Sequence, residues 1–212
     1  MFRATHQKFS SDMIFGVDID GVIRDMVSSA ISVYNKEFGE NLKPEDWKLY
    51  NPDLQFPKIK EIKGYSADKW FFEENGTALF RDSKPIGNPS DSINRLRKFG
   101  KVVIISYQKS YQNKMDTLQW LCDNGIESDG ICFVDDKSIV RVNYLIDDNP
   151  EYLFRSNCEH AILISAPYNI EYEFDSVGFR KTEDRFDSFD EFVKYIENKH
   201  FVKYIENKHE KE

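Results

Sequence analysis

The chain is short of cysteine and of positive charge, and it contains no long apolar run. Its three cysteines, Cys122, Cys132 and Cys158, form no Cys-x-x-Cys pair and leave an odd thiol. A reduced intracellular compartment explains this most simply. No segment approaches the roughly 20 apolar residues of a membrane span. Met1 to Ser11 is polar and charged, without the apolar stretch of a secretion signal. A soluble, cytoplasmic protein with no membrane partner is expected. Lysine and arginine number 29 against 37 aspartates and glutamates, a formal charge of −8. No basic run marks a nucleic-acid groove, so nucleic acid is not expected as a partner. Phosphate chemistry in such a chain needs a local positive centre, such as a metal ion. His6, His160, His200 and His209 are scattered without ligand spacing, and none reads as catalytic.

What is present organises itself around Met13-Ile14-Phe15-Gly16-Val17-Asp18-Ile19-Asp20-Gly21. A short apolar run of this kind suits a strand buried on both faces of a parallel sheet. Acids are costly inside such a strand, so Asp18 and Asp20 belong where it surfaces, at its carboxyl end. Open α/β sheets bind their ligands there. Gly21 lets the backbone turn and approach a ligand closely.

The chain of 212 residues, 40% hydrophobic and 15% aromatic, has the material for one domain with an insertion. Ile23 to Phe38 has helical periodicity and Gly39 as a stop. Residues 40–87 are aromatic-rich and broken by Pro44, Pro52, Pro57, Gly64 and Gly76, with Ser66 reading as the N-cap of a helix through Asn75. They fit no strand–helix repeat and read as an inserted, mostly helical subdomain. Alternation then resumes. A helix opens at Asn88-Pro89 and runs to Phe99, and a strand at 102–105 ends at Ser106. Further on come a helix at 111–123, a strand at 131–134, a strand at 144–146 ending at Asp147-Asp148, a short helix at 150–155 and a strand at 161–164. Strands alternating with helices predict a parallel α/β sheet.

Residues 192–200 are repeated without change as 201–209. A nine-residue shift turns a helical face by about 180°, so one straight helix cannot bury both copies on the same core. The first copy, capped by Ser188, is expected to lie on the sheet. The second is expected to be frayed, bent or held by a neighbouring chain, which keeps a homo-oligomer among the expectations.

Four polar clusters fall at predicted strand ends in order: Asp18-x-Asp20, Ser106, Lys137 and Asp147-Asp148. On one sheet edge they converge on a pocket of carboxylates with one ammonium. A hard divalent cation relieves such repulsion, and Mg²⁺ fits best, bound by one or two carboxylates with water and substrate phosphate.

This ordered set resembles the haloacid dehalogenase superfamily of phosphotransferases, over roughly Met13 to Pro150. The resemblance implies a Rossmann-like parallel sheet with helices on both faces and a small helical cap inserted after the first strand. Residues 1–22 and 86–200 would form the core, 23–85 the cap and 201–212 a duplicated tail. An acid at Asp20 points to phosphatases or phosphomutases, since the dehalogenating members lack it and the ion-pumping ATPases carry threonine there. The family mechanism implies Asp18 as nucleophile and Asp20 as general acid and base. It places Ser106 and Lys137 on the phosphoryl group. Mg²⁺ is expected on Asp18, Asp147 and the main-chain carbonyl of Asp20, with Asp148 orienting a metal-bound water.

A narrower resemblance is to the 5′(3′)-deoxyribonucleotidases. It rests on the insert after the first motif, the spacing Asp-Lys-Ser-Ile-Val…Leu-Ile-Asp-Asp from Asp136 to Asp148, and Ala-Pro-Tyr-Asn at 166–169. That family dephosphorylates deoxynucleoside monophosphates and holds the base among cap aromatics, here Trp47, Tyr50, Trp70 and Phe71. Two departures stand out: Ser106-Tyr107-Gln108 where the family often has Thr-Ser-Pro, and Asp135-Asp136-Lys137 where it often has Arg-Asp-Lys. The first leaves Lys109 as a further phosphate contact to consider. A small phosphorylated substrate is expected, a nucleoside monophosphate first. A sugar phosphate, a polynucleotide 3′-phosphate and a non-catalytic phosphate-binding module are the alternatives.

Overall fold

The computed structural model describes residues 13–172 and 182–209, with backbone alone for 182, 183 and 202–209. Six strands, β1 (Ile14–Val17), β2 (Lys101–Ser106), β3 (Gly130–Phe133), β4 (Tyr144–Asp147), β5 (His160–Ile164) and β6 (Thr182–Phe186), form one parallel sheet in the order β3-β2-β1-β4-β5-β6. Strand side chains alternate between faces, and the inner strands bury both sets in a core. Phe15, Val17, Val102, Ile104, Tyr144 and Ile146 enter one cluster, while Ile105, Leu145 and Leu163 enter the other. The first is covered by α6 (Pro89–Leu96), α7 (Tyr111–Asp123) and α9 (Phe189–His209), and the second by α8 (Pro150–Arg155). The expected doubly covered α/β sheet is present.

Among the described strands only β6 is unforeseen in the sequence. Thr182-Glu183-Asp184-Arg185 is polar, which suits a strand with a neighbour on one side alone.

Between β1 and β2 the chain leaves the sheet and builds a second layer of helices: α1 (Met26–Phe38), α2 (Pro52–Gln55), α3 (Pro57–Lys63), α4 (Ala67–Lys69) and α5 (Gly76–Phe80). Their apolar faces enclose a separate core around Tyr34, Trp47, Phe56, Trp70 and Phe71. Ser66 caps α4 as expected, accepting from the Lys69 N–H at 3.2 Å. The helix then widens into a π-type turn over Trp70–Glu74 instead of running on unbroken to Asn75. Helix α1 starts at Met26, three residues later than its periodicity suggests, because Ile23 to Asp25 have another task. They pair with the returning chain: the Asp25 N–H donates to the Lys84 carbonyl at 2.8 Å, and the Ile86 N–H to the Ile23 carbonyl at 2.9 Å. Two short strand-like segments, joined by an antiparallel bridge between Arg24 and Pro85, thus connect the cap helices to the sheet. Asp25 then caps α1, accepting from the Ser28 N–H at 3.0 Å.

The first copy of the repeated nonapeptide buries Phe192, Val193 and Ile196 against the sheet, behind the Ser188 cap. Arg95 of α6 ties it down, reaching Asp190 and Glu197 at 2.6 Å each. The backbone of the second copy continues α9 to His209 rather than fraying at the junction, and Phe201, its first residue, is 63% exposed. How its other side chains are placed lies outside the described residues.

Candidate active site

The carboxyl edge of the sheet collects the four clusters. Asp18 follows β1 directly, its N–H donating to the Ile146 carbonyl of β4 at 2.9 Å, so strand pairing fixes its place. Ser106 closes β2 and Asp147 closes β4. Lys137 sits on a single 3-10 turn, Lys137–Ile139, which Asp136 starts by accepting from the Ser138 N–H. Its ammonium is buried, 2.9 Å from Asp18 Oδ1 and 2.6 Å from Asp147 Oδ2, with the Tyr152 ring centre 4.7 Å away. Gly21 turns the chain at φ +76°, and a Cβ there would collide with the Asp148 carboxylate, so glycine is required.

Asp18, Asp147 and Asp148 offer carboxylate oxygens that all lie within 4.8 Å of one another. Their surroundings differ. Asp147 is fully buried with both oxygens engaged, one by Lys137 and one by the Asn149 N–H at 2.9 Å. Asp148 lines the cavity and accepts from the Tyr168 hydroxyl. Both Asp147, expected on the metal, and Asp148, expected behind it, offer an oxygen to the cluster, and of the two only Asp148 lines the cavity. A tight turn after β4 leaves the first acid inside the sheet and swings the second out.

Among the described residues this is the only acidic cluster of metal-binding geometry, and a hard cation suits its donors. Asp18 Oδ1 is buried and receives no aligned hydrogen bond. Burial pushes the Asp18 carboxyl up to about 7, against the pull of Lys137 and with further push from Asp147 and Asp20. Burial, with Asp147 and Asp18 beside it, holds Asp148 well above the carboxylate range, against the Tyr168 hydrogen bond. Burial works against charge on Lys137, yet Asp147 and Asp18 outweigh it and keep the ammonium above the usual lysine value. One lysine leaves the acids under-compensated, a deficit that a hard divalent cation with oxygen-only coordination would relieve.

A pH dependence follows for metal-free protein. Folded Asp18 holds its proton up to about pH 7, whereas the unfolded chain releases it near 3.8. Between those values the folded state binds more protons, so its stability falls as pH rises. Melting temperatures in EDTA should drop across that window and those with Mg²⁺ should not. Equal slopes in the two series would count against metal binding by this cluster.

Asp20 stands apart from the three acids. Its carboxylate receives Arg24 Nε on Oδ1 at 2.8 Å, and Arg24 Nη2 and Gln108 Nε2 on Oδ2 at 3.0 Å each. Gln108 also donates to Ser106 Oγ at 3.2 Å, tying the β2 loop to the same group. Above these residues lies a cavity of about 290 Å³ between sheet edge and cap. Asp18, Asp20, Ser106, Lys137 and Asp148 form its floor, while Trp47, Tyr50 and Phe72 reach it from the cap and Tyr168 from the loop after β5. Trp70 and Phe71, expected here from their aromaticity, instead fill the interior of the cap and do not line the cavity. Lys109 lies at the cavity wall, 2.8 Å from Asp68 of α4.

Three contributors escaped the sequence reading. Arg24 looked like one polar position of a helix, although its i, i+4 spacing from Asp20 inside an apolar run was the available signal. Gln108 registered only as a departure from a pattern. Tyr168 belongs to the Ala-Pro-Tyr-Asn stretch but had no assigned contact.

Comparison with known proteins shows the family and the fold. The model of the family described as "5' nucleotidase, deoxy (Pyrimidine), cytosolic type C protein" matches residues 12–199. A Staphylococcus epidermidis protein provisionally named a 5'(3')-deoxyribonucleotidase is 25% identical over 181 residues, covering 82% of this chain and 96% of its own length. Among solved structures, the L-2-haloacid dehalogenase of Xanthobacter autotrophicus superposes with a TM-score of 0.57 at 10% identity, over 87% of this chain and 98% of that one. A magnesium-bound haloacid dehalogenase-like hydrolase from Bacillus subtilis superposes with 0.54 at 12% identity, over 86% and 97%. These two establish the fold; the family match, covering nearly the whole described chain, establishes more. The chain belongs to the cytosolic type C 5′-nucleotidase family and is a phosphatase of the haloacid dehalogenase type.

Proposed function

We propose that the protein hydrolyses deoxynucleoside monophosphates through an aspartyl-phosphate on Asp18, with Mg²⁺ as cofactor. The observation that carries this reading is one cavity with a carboxylate–ammonium floor and an aromatic upper wall. The floor suits a phosphate and the wall a nucleobase. The first step forms a bond from an Asp18 carboxylate oxygen to phosphorus and breaks the bond to the leaving oxygen, which Asp20 protonates. A water then attacks the aspartyl-phosphate and Asp20 takes its proton, releasing inorganic phosphate and restoring Asp18. Lys137 offsets charge on Asp18 and on the phosphoryl group, and Ser106 donates a hydrogen bond to it. Asp18 and Asp148 would hold the Mg²⁺ with the Asp20 carbonyl, while Asp147 keeps Lys137 in place. When bound, the ion screens the negative charge of nucleophile and phosphate. Trp47 and Tyr50 are the aromatic residues we assign to the base, with Phe72 and Tyr168 beside them.

Phosphate release from nucleoside 5′- and 3′-monophosphates and sugar phosphates, with Mg²⁺ and with EDTA, tests this. A deoxynucleotide preference that disappears in EDTA is expected. Activity confined to sugar phosphates would remove the aromatic base site, and inactivity on every phosphomonoester would remove the proposal.

A further inference from the structure

We infer that Arg24 is a positioning residue for Asp20, mounted on the joint between sheet and cap, and that proton delivery to the leaving group depends on it. This rests on the reading above, in which Asp20 is the general acid. Arg24 is fully buried, an expensive place for a guanidinium unless every part of it is engaged. Its Nε and Nη2 grip Asp20 as a two-pronged fork. Its Nη1 donates to the Phe80 carbonyl of α5 at 2.7 Å and to Thr117 Oγ1 of α7 at 3.2 Å. The Phe80 and Trp120 rings stand on its faces, each centre 5.2 Å from the guanidinium carbon. No freedom is left in the side chain, so Asp20 has one place to be.

The mounting matters as much as the grip. Arg24 occupies the middle of the paired segments that connect cap and sheet, bridged to Pro85, and its far end rests on a cap carbonyl. Asp20 is therefore referenced to the cap as well as to β1. Lysine at this position keeps a positive charge but lacks the planar fork, so it can neither fix both Asp20 oxygens nor span to Phe80 and Thr117.

The test separates positioning from mere support through the leaving group. A nucleoside alkoxide needs a proton as it departs, whereas p-nitrophenolate leaves without one. kcat/KM reports the step in which Asp18 is phosphorylated, the step that uses the acid. Arg24→Lys should lower kcat/KM for the preferred nucleotide by roughly 100-fold, the lower end of what a lost general acid costs, and for p-nitrophenyl phosphate by less than about 5-fold. Asp20→Asn should show the same asymmetry, and adding Arg24→Lys to it should cost little more, because the two act as a unit. Thr117→Val, which loosens Arg24 without touching Asp20, should show a weaker version and decides the matter if Arg24→Lys does not fold. Equal losses on both substrates, or full additivity with Asp20→Asn, would overturn the role of Arg24. A parent enzyme inactive on both substrates would instead overturn the functional reading beneath it.

Discussion

Asp18→Asn should abolish phosphate release and yet make the metal-free protein more stable. Loss of a covalent nucleophile costs at least about a thousandfold in kcat. Stability moves the other way because Asp18 is a burden on the fold. It is buried beside Asp147 and Asp20, and Lys137 offsets only part of this, leaving its carboxyl raised to about 7. At neutral pH the folded state must hold that charge or retain a proton that the unfolded chain gives up. Asparagine keeps the shape and removes the cost, worth on the order of a few kcal/mol or several degrees in Tm. With Mg²⁺ present the advantage should shrink or reverse, since the parent alone gains a full set of ligands. Paired melts in EDTA and in Mg²⁺, together with kcat, check all three signs. A variant less stable than the parent in EDTA at neutral pH would mean that the Asp18–Lys137 contact outweighs the repulsion.

Lys137→Met should be the most destabilising single change in the site. The ammonium is buried between Asp18 and Asp147, and nothing else positive approaches Asp147 within ion-pair distance among the described residues. Removing one member of a buried ionic group leaves uncompensated charge, typically about 3–5 kcal/mol. The loss should be largest at neutral pH and shrink in acid, where the Asp18 carboxyl takes up a proton instead. Urea unfolding at both pH values measures it. Activity should fall by a further two to three orders of magnitude, in line with removing a charge that meets the transition state. A variant that unfolds at the parent's urea midpoint at neutral pH would show that the ammonium is not what holds the acids together.

The sheet and the floor of the cavity were legible because local signals and global need coincide there. A parallel strand buried on both faces must be an apolar run, and an acid at its end has few places to go, so Asp18, Ser106 and Asp147 could be placed from sequence alone. Lys137 followed from its place just after the strand at 131–134. Periodicity failed where tertiary pairing overrode it: Ile23 to Asp25 are helical in pattern but serve the joint to the cap, and the polar β6 is a strand only because β5 offers it an edge. Cap aromatics were visible as a class. Which of them face the cavity was not, since Trp70 and Phe71 carry the same sequence signal as Trp47 and differ only in how short helices meet. The difference in cavity access between Asp147 and Asp148 was hidden for a related reason. Two adjacent acids at a strand end are equivalent in sequence, and the turn beginning at Asn149 decides which one the cavity sees.

Rapid mixing with p-nitrophenyl phosphate shows whether Asp18 carries the phosphoryl group covalently. Asp20→Asn is the protein to use, because it spares the step with the good leaving group and slows hydrolysis of the phosphoenzyme. A burst of nitrophenolate equal to the enzyme concentration, with the phosphate adduct mapped by mass spectrometry after acid quench to the peptide holding Asp18, is the predicted result. Linear release without a burst, with the adduct absent or on another residue, would contradict it.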